Sequence, residues 1–499
     1  MRRSAGEENA VARQLAAVRP ALVEPFGRAL PGARAAVLSR LWRALAFEPL
    51  PWIAGRERTG DGLTVRLADG RAVRGPDPDP FAVDGAVTQV GLAGAGYDDP
   101  ASLVDALGVP HGGTFAAELA GSVASLALSR ADRAPSPGVS APVWAWEQRV
   151  VDGHPYHPGC RHRPGFSVAE ELAYAPEHRP VVRLRLAPVD RDDCLVSGEW
   201  PAEWRDGARL LLPVHPWQAR HVLRRFHDAD GFAAHPLMAL RTLAVPGGPQ
   251  VKTALSTRLT SSVRDISVGS VASSSAVSAF AGSLTPRLEG LLHVTRTLGA
   301  ACDGTADLAA VVRESPEAYA GAGERVLPVA ALEASGPVAS PSWLGEFAVL
   351  ALRAGLRMLE LGVALEAHGQ NLLVVLSPDG RPVRLVYRDL ADIRVSPARL
   401  ARHGLRLPEG VPARIVTDDV TALRRKLFGS LVAGALGAAA GSAPVLAKLV
   451  RRAAAELPST PDREALLRDP LPVKALTLMR LSPDRPGDLW TYLPRPSDV

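Results

Sequence analysis

Glu366-Ala-His368-Gly-Gln370-Asn371-Leu372-Leu-Val-Val-Leu376-Ser377-Pro-Asp-Gly380-Arg-Pro-Val383-Arg-Leu-Val-Tyr387-Arg388-Asp389 is the stretch from which this chain is best read. Two apolar, β-prone runs, Leu372–Leu376 and Val383–Tyr387, flank Ser-Pro-Asp-Gly, whose residues suit a tight turn. An antiparallel hairpin brings the end of its second strand back beside the start of its first. Gln370, Asn371 and Asp389 are therefore expected side by side, although 19 positions separate the outer two. Amide and carboxylate oxygens at a strand end suit a hard cation such as Mg2+ held together with phosphates. Kinases use an Asn and a later Asp in the same way. His368 is placed to donate to a phosphate or carboxylate oxygen. Upstream, Ser342–Ala367 carries Leu344, Phe347, Leu350, Leu352, Leu356, Leu359 and Val363 at helical spacing, with Gly369 as the break.

A second informative stretch is Lys252-Thr-Ala-Leu-Ser-Thr-Arg-Leu-Thr260-Ser-Ser-Val-Arg264. The chain has 57 Lys plus Arg, and only Lys252, Lys426, Lys448 and Lys474 are lysines. A lysine kept against that bias suggests a place where a compact ammonium cannot be exchanged for a planar fork. From Val251 the odd positions are mostly apolar and the even positions polar or basic, the alternation of a half-buried strand that bends near Ser261. Lys252, Thr260 and Arg264 are expected to face one way, with Arg241 and Thr242 just upstream. Cations this close repel one another unless they face an anion, and a polyphosphate is a suitable one. A solvated strand face is the alternative.

Two further blocks stand earlier in the chain. Glu147-Gln-Arg-Val-Val-Asp-Gly-His154-Pro-Tyr-His157-Pro-Gly-Cys-Arg161-His-Arg163-Pro-Gly-Phe-Ser167 is too rich in Pro and Gly for a helix and reads as a shaped loop. Its His and Cys residues do not close a tetrahedral zinc site. Its arginines suit a carboxylate or phosphate instead, with a solvated loop as the alternative. Leu210-Leu-Leu-Pro-Val-His215-Pro-Trp217-Gln218 reads as a strand opening into a helix at Pro216. His215 there suits a site residue or a structural histidine equally.

The chain of 499 residues is long enough for two or three domains, and 47% apolar content fits a globular protein. Boundaries are expected near 140 and 340: a mainly helical first part with a short strand insert, a middle part with strands at Val181–Leu186, Leu210–Val214 and Val251–Thr260, and a last part holding the hairpin. A net charge of +5 is small for this length, and no basic run with interleaved aromatics appears, so nucleic acid is not an expected partner. Three scattered cysteines point away from a disulfide framework and suit a reducing cytoplasm. The N-terminus lacks a signal-peptide core. The uncharged run Phe428–Ala447 is rich in Gly and Ala and holds Pro444, so it reads as a packed helix pair rather than a membrane span.

In order and spacing, the blocks Glu147–Ser167, Leu-Leu-Pro-Val-His215-Pro-Trp-Gln, Arg241-Thr242 with Lys252 to Arg264, and Glu366-Ala-His-Gly-Gln-Asn371 with Arg388-Asp-Leu resemble the IucA/IucC family of NRPS-independent siderophore synthetases. The resemblance implies an α+β fold of mixed helices and antiparallel sheet in an elongated thumb, fingers and palm arrangement (1–140, 141–340 and 341–499). It implies an enzyme that adenylates citrate or a related acid with ATP and Mg2+, then joins the acyl group to an amine, hydroxylamine or alcohol. By position, Arg264, His368 and Lys252 would be catalytic. Arg241, Thr242, Lys252, Thr260, Arg264, His368, Gln370 and Asn371 would bind ATP. His154, His157, Arg161, Arg163, Ser167 and Arg264 would hold the substrate carboxylate, and Asn371 with Asp389 would hold Mg2+. A homodimer is also implied. Ala239 stands where the family has Ser, Arg161 where it has Lys, and the N-terminal third is short. Two other readings stay open from the residues alone: a small-molecule kinase, which would release ADP, and a non-catalytic anion-binding protein.

Overall fold

The computed structural model describes residues 2–60, 62–138, 140–226, 229–260, 262–332 and 340–495. Ser261 and residues 333–339 of the expected connector lie outside the described residues.

The first part pairs long helices with a small sheet. Helices Val23–Phe47 and Gly112–Ala131 pack against each other through Val37, Leu41, Leu45, Phe115, Leu119 and Val123, all buried. Strands between Ile53 and Tyr97 form a five-stranded antiparallel meander whose Val65, Val73 and Val90 enter the same core. The expected short strand insert is thus a whole sheet.

The middle part is built on a nine-stranded antiparallel sheet. Its centre is formed by Thr242–Ala244, Gln250–Thr253 and Ala309–Arg313. Strand alternation separates its faces. Leu243, Val251 and Val312 face an apolar core, while Gln250, Lys252 and Arg313 share the opposite face. The expected strand Val251–Thr260 is two strands. Gln250–Thr253 stays in the large sheet; Leu255–Leu259 leaves it to form a separate hairpin with Ser262–Arg264.

The hairpin read from the sequence is present as Leu372–Leu376 and Pro382–Tyr387. Its sheet adds Leu292–Val294, parallel to the second strand, and Arg325–Pro328, antiparallel to the first. The boundary expected near 340 therefore cuts through one sheet. The long helix runs Pro341–Glu360, capped by Ser340, and ends seven residues before the expected Ala367. Gly362 adopts φ +106, a conformation open to glycine, and Val363–Ala364 leaves to pair with Arg394–Val395.

The run Phe428–Ala447 holds helical turns up to Ala440, a break at Gly441 and the start of helix Ala443–Ala455. Among the described residues, no helix is long and apolar enough to cross a membrane. The C-terminal segment returns to the N-terminal part. Glu48 accepts the amides of Thr477 (3.1 Å) and Leu478 (2.7 Å), and Thr491 donates to the Phe47 carbonyl at 2.7 Å.

Candidate active site

The polar face of the large sheet meets the start and end of the hairpin at Leu372–Leu376 and Pro382–Tyr387. Lys252 lies directly across from Thr242 in the strand register. Its Nζ donates to Asp389 Oδ2 at 2.7 Å. Burial lowers the Lys252 pKa, and Asp389 only partly restores it, leaving it at about 8. Burial alone would raise Asp389; Lys252, Arg313 and Arg241 reverse that and hold it well below the usual carboxylate range. Asp389 sits at φ +72, and its Oδ1 accepts the Ala391 amide.

Arg241 and Arg264 shape the adjoining hairpin. Arg241 Nη1 donates to the carbonyls of Arg264 (2.5 Å) and Asp265 (2.7 Å). Arg264 folds back so that Nη2 reaches Thr260 Oγ1 at 2.8 Å and the Leu259 carbonyl at 3.0 Å. Thr260 makes the turn at φ +56. The block at His215 is the scaffold beneath this hairpin. His215 Nδ1 accepts the Trp217 amide, Trp217 stacks on Phe166, and Gln218 holds Ser256 through both its amide groups. The structural alternative is therefore the one observed for His215.

From the hairpin side, the Asn371 and Leu372 amides bond the His368 carbonyl at 2.9 and 3.0 Å, which forms the turn before the first strand. Asn371 Nδ2 donates to the Glu366 carbonyl at 3.2 Å, which leaves Oδ1 on the other side of the amide. Burial lowers the His368 pKa; Glu366 and Asp389 oppose that, while Lys474 and Arg264 add to it.

The first loop contributes unevenly. His154 is exposed and within electrostatic reach of His157, His368, Arg40 and Arg43. His157 is 1% exposed, and its Nδ1 accepts the Gly159 amide at 2.9 Å. Burial, then Arg480, Arg40 and Arg264, lower its pKa to about 3, so the ring is neutral. With Nδ1 as acceptor, the proton is on Nε2, a buried donor without a protein partner.

Arg161, Arg163 and Ser167 differ from expectation. Arg163 bonds Glu171 (3.2 Å) and Glu177 (2.7 Å), and Arg161 reaches Glu177 (3.4 Å) and the Val151 carbonyl (2.9 Å). Both arginines are buried. Burial alone would raise Glu177; the two guanidiniums hold it well below the usual range. Their charge is already matched inside the protein. Ser167 is the N-cap of helix Val168–Tyr174 in a capping box with Glu170.

The structure adds residues that motif reading passed over. Arg313, 7% exposed, gives Nε to Gln250 Oε1 at 3.0 Å and acts electrostatically on Asp389. Glu366 Oε1 accepts both Lys426 (3.3 Å) and Lys474 (3.0 Å), and Lys426 also bonds Asp392 at 2.6 Å. Three of the four lysines thus belong to this charged cluster, so the scarcity of lysine was a usable signal for Lys426 and Lys474 as well as for Lys252.

Asp389 with Asn371 Oδ1 fits Mg2+, a metal commonly held by one or two carboxylates while phosphate and water complete its shell. Among the described residues no group of three or more His, Cys, Asp or Glu is placed to hold a metal, so the chain would supply only part of that shell.

Residues 142–334 match the IucA / IucC family model, and residues 341–489 match that of the Ferric iron reductase FhuF-like transporter. A citryl-spermidine/3,4-dihydroxybenzoyl-citryl-spermidine:spermidine ligase of Bacillus anthracis is 27% identical over 307 residues, covering 49% of this chain and 50% of the relative. Staphyloferrin A synthase of Staphylococcus aureus is 23% identical over 309 residues, covering 50% and 52%. The chain spans about half the length of the curated relatives it matches. The crystal structure of the petrobactin biosynthesis protein AsbB from Bacillus anthracis superposes with TM-score 0.76 at 18% identity, over 95% of this chain and 97% of that one. ATP-bound aerobactin synthetase IucA of Klebsiella pneumoniae gives TM-score 0.69 at 18% identity, over 93% and 99%. Residues 142–334 are thus similar in sequence to the IucA / IucC family, and the fold of AsbB is shared along nearly the whole chain.

Proposed function

We propose that this chain is an ATP-dependent ligase that adenylates a di- or tricarboxylic acid, citrate by preference, and passes the acyl group to an amine, hydroxylamine or alcohol. The observation that carries this reading is the convergence of Arg241, Lys252, Arg264, Arg313 and His368 on one cleft whose acids, Asp389 and Glu366, are already paired. Such a cleft has cationic capacity for two anions at once. The names of the relatives, ligases and synthases of citryl compounds, and the ATP-bound state of a structural neighbour support the same chemistry.

In this reading a substrate carboxylate oxygen attacks the α-phosphorus of ATP and pyrophosphate leaves. The nucleophile then attacks the acyl carbon and AMP leaves. Two anions must approach each other in the first step, and fixed cations offset the repulsion that grows toward the transition state. Lys252, Arg241, Thr242 and Thr260 hold the phosphate chain. Arg264 and His368 stand where the carboxylate meets the α-phosphate. The exposed His154 donates to a remaining carboxylate oxygen, with the buried His157 ring behind it at 6.1 Å between centroids. Gln370, Asn371 and Asp389 face the triphosphate. Mg2+, held by Asn371 and Asp389, would neutralise phosphate charge when bound. Arg161 and Arg163 act beneath this surface by holding the loop that carries His154 and His157.

Incubation with ATP, Mg2+, hydroxylamine and a panel of di- and tricarboxylic acids tests the reading. AMP, pyrophosphate and a hydroxamate formed with one acid are expected. ADP would make the chain a kinase, and citrate binding without nucleotide turnover would make it a binding protein.

A further inference from the structure

Arg388 is next to Asp389 but is 2% exposed. Its Nε and Nη2 both donate to the Gln370 carbonyl, at 3.0 and 2.8 Å, and its own amide donates to the Asn371 carbonyl at 3.0 Å. Its Nη1 donates to Glu147 Oε1 at 2.6 Å and lies 3.5 Å from Gln250 Oε1. Glu147 is fully buried, and its other oxygen accepts the Met238 amide at 3.1 Å. Gln250 Oε1 also accepts Arg313 Nε, and Gln250 is on the same sheet face as Lys252. Segments far apart in sequence, at 147, 250 and 370, meet at one guanidinium.

We propose that Arg388 is a positioning residue: through the Gln370 carbonyl it fixes the turn presenting Gln370 and Asn371 beside its own neighbour Asp389, and through Glu147 and Gln250 it sets that turn against the Lys252 strand. The inference rests on the reading of this cleft as the ATP site. A planar fork can give two N–H groups to one carbonyl while a third bonds a carboxylate; an ammonium on a flexible stem cannot hold that arrangement. The ion pair with Glu147 alone would need only a charge. The pair of bonds to a backbone carbonyl at the cleft edge is what makes the residue specific to the turn. Positional errors of this kind weaken a site even when every contacting side chain is intact.

The test uses the full chain with Arg388→Lys, which keeps the charge beside Glu147, and Glu147→Gln, which keeps both bonds to Gln370. Hydrogen exchange is followed without ligand at the Asn371 and Leu372 amides, and ATP affinity is measured by calorimetry. In Arg388→Lys, exchange at these two amides should accelerate about tenfold or more while helix Val23–Phe47 keeps its protection. ATP binding should weaken by about tenfold, because the phosphate-facing turn loses its fixed position. Glu147→Gln should show smaller changes of the same kind. Unchanged exchange at Asn371 and Leu372 in Arg388→Lys, or an acceleration spread equally over the whole chain, overturns the proposal. Failure of the wild type to bind ATP would instead sink the functional reading, and the exchange data would still decide the role of Arg388.

Discussion

Lys252 Nζ and Asp389 Oδ2 are 2.7 Å apart across 137 residues of sequence, and this bond joins the central sheet to the end of the 372–387 hairpin. The lysine is 13% exposed and the aspartate 29%, so the pair is only partly hydrated. In the proposed function a bound phosphate would compete with Asp389 for the ammonium, exchanging an internal anion for a substrate one.

Lys252→Arg keeps the charge but replaces a compact ammonium with a broad fork beside Thr242 and Arg241. ATP turnover should fall by about tenfold or more, with the folded state retained. Steady-state AMP formation together with a melting curve checks this. Wild-type kinetics would mean that any cation serves there.

Arg264→Ala and His368→Ala should each lower kcat/KM for AMP formation by roughly 100-fold or more, since in the proposed reaction both residues face charge developing in the transition state. Neither side chain belongs to an apolar core, so melting temperatures should change little. Activity near wild type in either variant would remove that residue from the proposed chemistry.

Arg163→Ala should act on stability before it acts on catalysis. The substitution leaves Glu171 and Glu177 buried with their shared partner gone, a loss on the order of 3–5 kcal/mol. Urea unfolding monitored by tryptophan fluorescence measures it. A raised KM for the acid with unchanged unfolding would return Arg163 to the substrate surface.

Glu48 should make stability depend on pH. Burial raises its pKa from 4.5 to about 7 despite the amides of Leu478 and Thr477. The native state then binds a proton more tightly than the unfolded one. Stability falls as pH rises from about 4.5 to about 7 and levels off above, by roughly 3 kcal/mol across the window. Unfolding midpoints measured from pH 5 to pH 8 should show this slope in the wild type and a flatter one in Glu48→Gln. Equal slopes would assign the dependence to other groups.

The hairpin at 372–387 was legible because alternation and a Ser-Pro-Asp-Gly turn are local signals, and local signals survive folding. The split of Val251–Thr260 into two strands was not. The same alternation continues through Ala254, and only the partners, Ala309–Arg313 on one side and Ser262–Arg264 on the other, distinguish the halves. Helix Pro341–Glu360 ended early because a tertiary pairing, Val363–Ala364 with Arg394–Val395, outcompeted continued helical periodicity. The proximity of Lys252, Arg264, His368 and Asp389, expected from the spacing of the blocks, is present in the structure. Arg161 and Arg163 were misplaced because Glu171 and Glu177, which neutralise them, lie close by in sequence without forming a recognisable motif. Glu147 and Arg388 stood inside the quoted blocks, yet a contact across 241 residues has no signature in either one.

The return of residues 471–493 to the N-terminal core bears on the order in which the protein can be completed. A ribosome delivers helix Val23–Phe47 early, but Glu48 and the Phe47 carbonyl meet their partners only after Thr477, Leu478 and Thr491 have emerged. The strand that brings Lys474 to Glu366 belongs to that same late segment. Synthesis interrupted before residue 471 would leave a nascent chain with an open N-terminal core and with Glu366 lacking Lys474, so such fragments are expected to be cleared by proteolysis.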